Sequence, residues 1–430
     1  MDLKMLHIQM YLRNHTILYK TTIEKMRYMR LLEYMLMKYE NQDQWKNAVL
    51  DLYRSKLIAD LPAYKEYQKR KLAKYYSMKA WLLTDCLFIV ALLKKSEGNN
   101  ILTDIKMFYK GSNFEFEYLF KAFYSQRELA GFKEKYPHMV NAYHIIRNNR
   151  KFIKKPEKRI LFTGLMSSGK STLLNALVGK QIAKTQNAAC TAKKHYLFNK
   201  AGEDGLNYKL DGKLDLNSSI SDIKLDNADN KTYEIYKATK FFTINEINQR
   251  ICLIDTPGIN SSQNPEHKKI VEKAFQAKEF DLLVYIFNGK YMGTESEYDY
   301  LKFIRKAYSG KIVFLINQMD DFKEGEDSVE DTLNKTYKDL LQLGYINVNV
   351  YPISAKTAFL IKQKLLGLKM DENRQDELES LIRKLKKRNF QFNRYFDYGV
   401  FKPVVDNKNE AELYQALLHS GIISLEKLLY

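Results

Sequence analysis

Cysteine is scarce in this 430-residue chain: Cys86, Cys190 and Cys252 are widely spaced and form no C-x-x-C pair. Neither a zinc site nor a disulfide framework is indicated, and a reducing cytosol fits best. Long apolar runs are missing as well. The most apolar window, Ala80 to Leu93, has 14 residues with Asp85 inside it. A bilayer span needs about twenty apolar residues, so a buried helix is expected there. The start, Met1-Asp-Leu-Lys-Met-Leu-His7, lacks a basic stretch followed by an apolar one, so no secretory leader is expected. Acidic residues are in deficit, 51 against 70 basic ones, for a net charge of +19. Residues 1 to 157 hold 29 Lys and Arg against 16 Asp and Glu, so +13 of that excess lies in the first third. Such a surface favours anionic partners, lipid head groups or nucleic acid, without choosing between them.

What is present is ordinary globular composition, 45% hydrophobic and 28% charged, which excludes wholesale disorder. The length suggests two or three folding units. Up to about Arg150 the prolines are Pro62 and Pro137 only, and apolar residues recur every three or four positions. That pattern predicts several amphipathic helices in a bundle. Glu97-Gly-Asn-Asn100 and Lys110-Gly-Ser-Asn113 read as turns, and Tyr136-Pro137 as the start of another helix.

The basic stretch Arg147 to Lys158 then leads into Ile160-Leu-Phe-Thr163, which places a domain boundary between residues 157 and 158. Beyond it, short β-rich runs alternate with helical stretches. The runs are Ile160–Thr163, Ile251–Asp255, Leu282–Phe287, Ile312–Asn317 and Val348–Ile353. The expected architecture is an all-α domain over residues 1–157, followed over 158–430 by an α/β domain. Its sheet is mostly parallel with helices on both faces, and its ligand lies at the carboxyl ends of the strands. Residues 200 to 240 read as a polar surface excursion containing the paired-strand candidate Leu206–Lys213.

The polar motifs fall at strand ends. Gly164-Leu-Met-Ser-Ser-Gly-Lys-Ser171 fits G-x-x-x-x-G-K-S and precedes the helical run Thr172–Val178. There Gly164, Ser167, Ser168, Gly169 and Thr172 would wrap backbone amides around phosphates. Lys170 would reach the β- and γ-phosphates, and the Ser171 hydroxyl would ligate Mg²⁺. Asp255-Thr-Pro-Gly258 puts a carboxylate where it can hold the metal's water shell, with the Gly258 N–H offered to a γ-phosphate. Asn317-Gln-Met-Asp320 matches N-K-x-D except at Gln318. Its aspartate would accept from guanine N1–H and the exocyclic amine, a pairing adenine cannot supply. Glutamine in place of the stacking lysine predicts weaker affinity with selectivity kept. Ser354-Ala355-Lys356 would give a backbone N–H to the guanine oxygen and flank the base. Thr191, in Ala189-Cys-Thr-Ala192, is expected to ligate Mg²⁺ and fix the attacking water, with Thr185 as its competitor.

With these residues in this order, the chain resembles the dynamin superfamily and is most similar to its bacterial dynamin-like members. The resemblance rests on Met166 to Gly179, Cys190-Thr-Ala192, Asp255-Thr-Pro-Gly-Ile-Asn260 and His419 to Leu429, within residues 158 to 430. It implies a P-loop GTPase domain that hydrolyses GTP with Mg²⁺, pairs with another copy across the nucleotides and moves helical stalks at a membrane. By that resemblance Ser167 helps stabilise the transition state. The apolar Ile259 leaves no glutamine to orient water, so catalysis would depend on Ser167, Lys170, Thr191 and the partner copy. Family members carry a long stalk after the GTPase domain, whereas this sequence reaches Tyr430. A second protomer or a second dynamin-like protein would then complete it, or the protein is a minimal variant that does not remodel membranes.

The partners expected are therefore another copy of the chain and an anionic membrane surface, with nucleic acid ranked below them. The location expected is cytoplasmic, peripheral to the inner face of the membrane. A GTP-switched RNA or ribosome-binding protein and a GTP-binding scaffold with little turnover remain open alternatives. The cluster Arg383-Lys-Leu-Lys-Lys-Arg388 is followed by Phe390, Phe392, Tyr395 and Phe396, which read as core residues in preference to a nucleic-acid platform.

Overall fold

The computed structural model describes residues 6–39, 44–57, 78–110, 113–183, 194–210, 212–219, 234–243, 247–256, 265–277, 279–323, 325–326, 328–396 and 408–430. The chain divides into two compact units, Met1–Lys155 with Lys200–Ser219, and Pro156–Asn199 with Ile220–Tyr430. Nine strands are described: β1 (Glu157–Thr163), β2 (Lys194–Asn199), β3 (Leu206–Leu210), β4 (Lys213–Ser218), β5 (Glu234–Thr239), β6 (Arg250–Asp255), β7 (Leu282–Asn288), β8 (Ile312–Asn317) and β9 (Val350–Ile353).

The first unit is a helical bundle whose longer helices are Thr22–Met37, Gln44–Leu57, Lys79–Val90, Lys95–Tyr109, Asn113–Tyr124 and Val140–Ile153. The first of these starts at a capping box: Thr21 Oγ1 accepts from the Glu24 N–H, and the Glu24 carboxylate accepts from the Thr21 N–H. The apolar window forms the central helix, Lys79–Val90, buried along nearly its whole length. Among the described residues no helix is long and apolar enough to cross a membrane. Glu97-Gly-Asn-Asn100 is helix, contrary to its reading as a turn. Gly98 is there for close approach, since a Cβ would lie 2.2 Å from the Tyr124 hydroxyl.

The central helix carries one charge into the core. Asp85 is fully buried and accepts hydrogen bonds from the Tyr11 and Tyr28 hydroxyls. His15 completes the cluster, because its Nδ1 accepts from the Ile17 N–H at 3.0 Å, leaving Nε2–H to donate to Asp85 Oδ2 at 3.0 Å. Replacing Asp85 with alanine strands three buried donors, and the expected cost is about 3–5 kcal/mol. The chain's two tryptophans, Trp45 and Trp81, both lie in this unit, so urea unfolding followed by their fluorescence measures the loss. An unchanged midpoint would refute this role for Asp85.

The polar excursion divides between elements. β3 and β4 pair antiparallel as expected, with Tyr208 opposite Asp215 and a bulge between Leu206 and Tyr208. This hairpin clusters with the helices, because Leu216 enters their apolar core and Gln9 bonds both the Asp204 carboxylate (2.6 Å) and the Leu216 carbonyl (2.6 Å). Its polar sequence gave no sign of that attachment.

In the second unit the strand order is β5-β2-β6-β1-β7-β8-β9. β1 pairs parallel with both β6 and β7, β7 with β8, and β8 with β9, while β2 runs antiparallel to β6. The near-continuous apolar runs follow from burial on both faces. One face, with Ile160, Phe162, Val284 and Leu315, packs on the helices Lys170–Val178, Ala355–Leu365 and Ile422–Leu429. The other carries Thr163, Tyr285 and Phe314 against Tyr300 of the helix Glu295–Ala307 and against Tyr345. Phe390, Phe392 and Phe396 are buried core as expected, whereas Tyr395 is only half-buried.

Candidate nucleotide site

The ends of β1, β6, β8 and β9 converge on one edge of this sheet, and the side chains there lock onto each other. From β1 the chain passes close under β7, and at Gly164 a Cβ would lie 2.5 Å from the Ile286 carbonyl oxygen. The loop then takes two left-handed residues, Ser167 (φ 62°) and Gly169 (φ 83°), before the helix Lys170–Val178 begins. A Cβ on Gly169 would meet Asn317 Nδ2 at 2.1 Å, so glycine is required at both positions.

Ser167 pays a conformational penalty for φ above zero, and two side-chain amides hold it there. Asn288 Nδ2, at the end of β7, and Gln318 Nε2 each donate to the Ser167 carbonyl at 2.9 Å. The Ser167 side chain itself is exposed at the loop apex. Asn288 was missed in the sequence; its only signal was its position immediately after an apolar strand. Gln318, read there only as a lost stacking lysine, bonds the phosphate loop.

Asn317 joins three segments. Its Nδ2 donates to the Ser168 carbonyl at 3.0 Å, and its Oδ1 accepts from the Ala355 N–H at 3.1 Å. Asp320 follows in a short 3-10 turn, 5% exposed, with the Thr357 hydroxyl 3.4 Å from its Oδ2. Burial pushes its carboxyl up from the ordinary range, against a hydrogen bond from Ser354. In the Ser354–Lys356 trio, the Ser354 N–H goes to the Ser420 carbonyl (3.0 Å) and the Ala355 N–H to Asn317. Among the described residues this leaves the Lys356 N–H as the available one, while the Lys356 side chain pairs with Glu377.

Lys170 is buried in the first helical turn with its Nζ 3.4 Å from Asp255 Oδ1. That separation is an ion pair, too long for a well-formed hydrogen bond, and Oδ1 is a buried acceptor without a hydrogen-bond donor. Burial raises the Asp255 pKa, opposed mainly by Lys170. Asp255 sits opposite Phe162 in the β1–β6 register, and Ser171 is the next residue after Lys170. An orphaned carboxylate oxygen and a hydroxyl are hard oxygen donors that suit Mg²⁺. Thr185, Thr191, Gly258 and Ile259 lie outside the described residues.

A glycine-lined loop between a strand and a helix, closed by an Asn-x-x-Asp strand end, defines a P-loop nucleotide-binding domain of the GTPase class. Residues 160–319 match the model of the Dynamin family. Dynamin-like protein A of Bacillus subtilis (strain 168) is 28% identical over 177 residues, 41% of this chain and 14% of that protein. The probable transmembrane GTPase FZO-like, chloroplastic, of Arabidopsis thaliana is 28% identical over 212 residues, 49% of this chain and 20% of that protein. The chain therefore spans at most a fifth of the length of either relative. A solved structure described as an oligomerised bacterial dynamin pair is 16% identical, covering 85% of this chain and 72% of its own, with a TM-score of 0.38.

Proposed function

We propose that this protein binds GTP with Mg²⁺ and hydrolyses it to GDP and phosphate. The observation that carries this reading is Asn317, whose single side chain bonds both the phosphate loop and the segment that would hold the base. Guanine selectivity follows from Asp320, a buried acceptor that guanine satisfies and adenine leaves unpaired. The Lys356 N–H would meet the guanine oxygen. Gly164, Ser168, Gly169 and Thr172 would supply the phosphate cradle, and Ser171 and Asp255 would hold Mg²⁺. When bound, the ion neutralises charge on the β- and γ-phosphates.

Ser167, Lys170 and Thr191 are assigned to catalysis, Gly258 to the γ-phosphate and Thr191 also to Mg²⁺. Thr191→Ala is expected to bind GTP within about threefold of the parent and to lower single-turnover hydrolysis at least about a hundredfold, the scale of losing one positioned catalytic group. A Thr191→Ala variant that still hydrolyses GTP while Thr185→Ala does not would move the assignment to Thr185.

Pairing of two GTPase domains across their nucleotides, action at an anionic membrane surface and a second dynamin-like partner complete the proposal, with a peripheral position at the cytoplasmic face of a membrane. The basic first third of the chain supports the membrane part. Sedimentation with anionic liposomes and with RNA, each with and without a non-hydrolysable GTP analogue, tests it. Binding to RNA with none to lipid would replace the membrane with a nucleic-acid partner.

A further inference from the structure

The helix Val140–Ile153 ends in a cluster of cations that its surroundings do not neutralise. Arg147, Arg150, Lys151 and Lys154 are spaced i, i+3, i+4 and i+7, and so share one face. With Ser125 and Gln126 they line a pocket of about 210 Å³ that lies wholly within the helical unit. Like charges at these spacings repel, and the helix dipole rewards cations only in the last turn. The dipole accounts for exposed Lys151 and Lys154. It does not account for two guanidiniums drawn in from water beside them.

Arg147 is 8% exposed, yet its ion-pair contact is a distant one, Nη2 to Glu128 Oε2 at 3.6 Å. Arg150 donates Nη1–H to the Phe123 carbonyl at 2.7 Å and lies over the Tyr124 ring at 5.0 Å, while its buried Nε has no hydrogen-bond partner. Burial depresses the pKa of both arginines, the sign of guanidiniums desolvated more than they are compensated. Among the described residues neither Lys151 nor Lys154 has an ion-pair partner. A guanidinium carries five donors in a planar fork that matches phosphate oxygens, and most of the donors here are unspent.

We infer that this pocket is a binding site for a phosphate monoester, separate from the nucleotide site, with buried Arg147 and half-buried Arg150 as the fork and Lys151 and Lys154 closing over the ligand. Two sources of that group exist, a soluble phosphate compound and a lipid head group. The full chain, saturated with GDP so that the nucleotide site is filled, is titrated calorimetrically with inorganic phosphate. It is also sedimented with phosphatidylcholine vesicles with and without phosphatidic acid. Lys151→Gln/Lys154→Gln changes two exposed side chains and leaves the fold intact. Lys302→Gln/Lys306→Gln removes the same charge elsewhere. Binding weakened at least about tenfold by the first pair and unchanged by the second is expected, a factor one charge-assisted hydrogen bond supplies. Free phosphate binding assigns a soluble ligand, and binding confined to phosphatidic acid vesicles assigns the head group. Absence of binding in both arms, or equal weakening by both double variants, overturns the site.

Discussion

Lys170→Ala is expected to weaken GTP binding by about 10²–10³-fold, enough to remove it at micromolar nucleotide. Lys170 is 8% exposed, so its charge acts on the phosphates through little water. Its loss also leaves Asp255 as a buried carboxylate without its ion-pair partner, and burial already raises that pKa. The substitution therefore removes an attraction for phosphate and the counter-charge for a neighbouring acid together. Titration with a fluorescent GTP analogue measures the first effect. Binding within threefold of the parent would mean that Gly164–Ser171 is not the phosphate site.

Asp320→Asn is expected to exchange the base preference. The carboxylate accepts twice from guanine, and an asparagine puts a donor against the exocyclic amine of the base. The mismatch leaves buried polar groups unpaired on both sides, and GTP affinity falls about 10²–10³-fold. Xanthine carries a carbonyl where guanine carries that amine, so xanthosine triphosphate is the nucleotide the variant selects. Competition between the two nucleotides for parent and variant measures the exchange. Equal losses for both in the variant would sink the assignment of Asp320 to the base.

These assignments were legible because each motif combines a residue type with a strand end. The apolar runs at β1, β6, β7, β8 and β9 fix where strands stop, and the polar residues that follow fix what lies at the sheet edge. The buried Asp85 was visible only as an oddity in an apolar window, since its partners Tyr11, His15 and Tyr28 come from a distant stretch of chain. Gly98 misled for a related reason: glycine marks a turn locally, and only the tyrosine packed against it makes glycine the helical choice. The attachment of the β3–β4 hairpin rests on Gln9, Asp204 and Leu216, a set no local pattern announces. Asn288 and Gln318 escaped because an amide's role depends on which carbonyl it meets in space.

The two amides on the Ser167 carbonyl have a kinetic consequence. A loop pinned in its unusual backbone before nucleotide arrives has little ordering left to do during encounter. Association should then proceed at the pace of docking to a rigid surface. Nucleotides that fit this loop equally well would differ in how long they stay, and residence time would become the quantity that evolution at Gln318 adjusts.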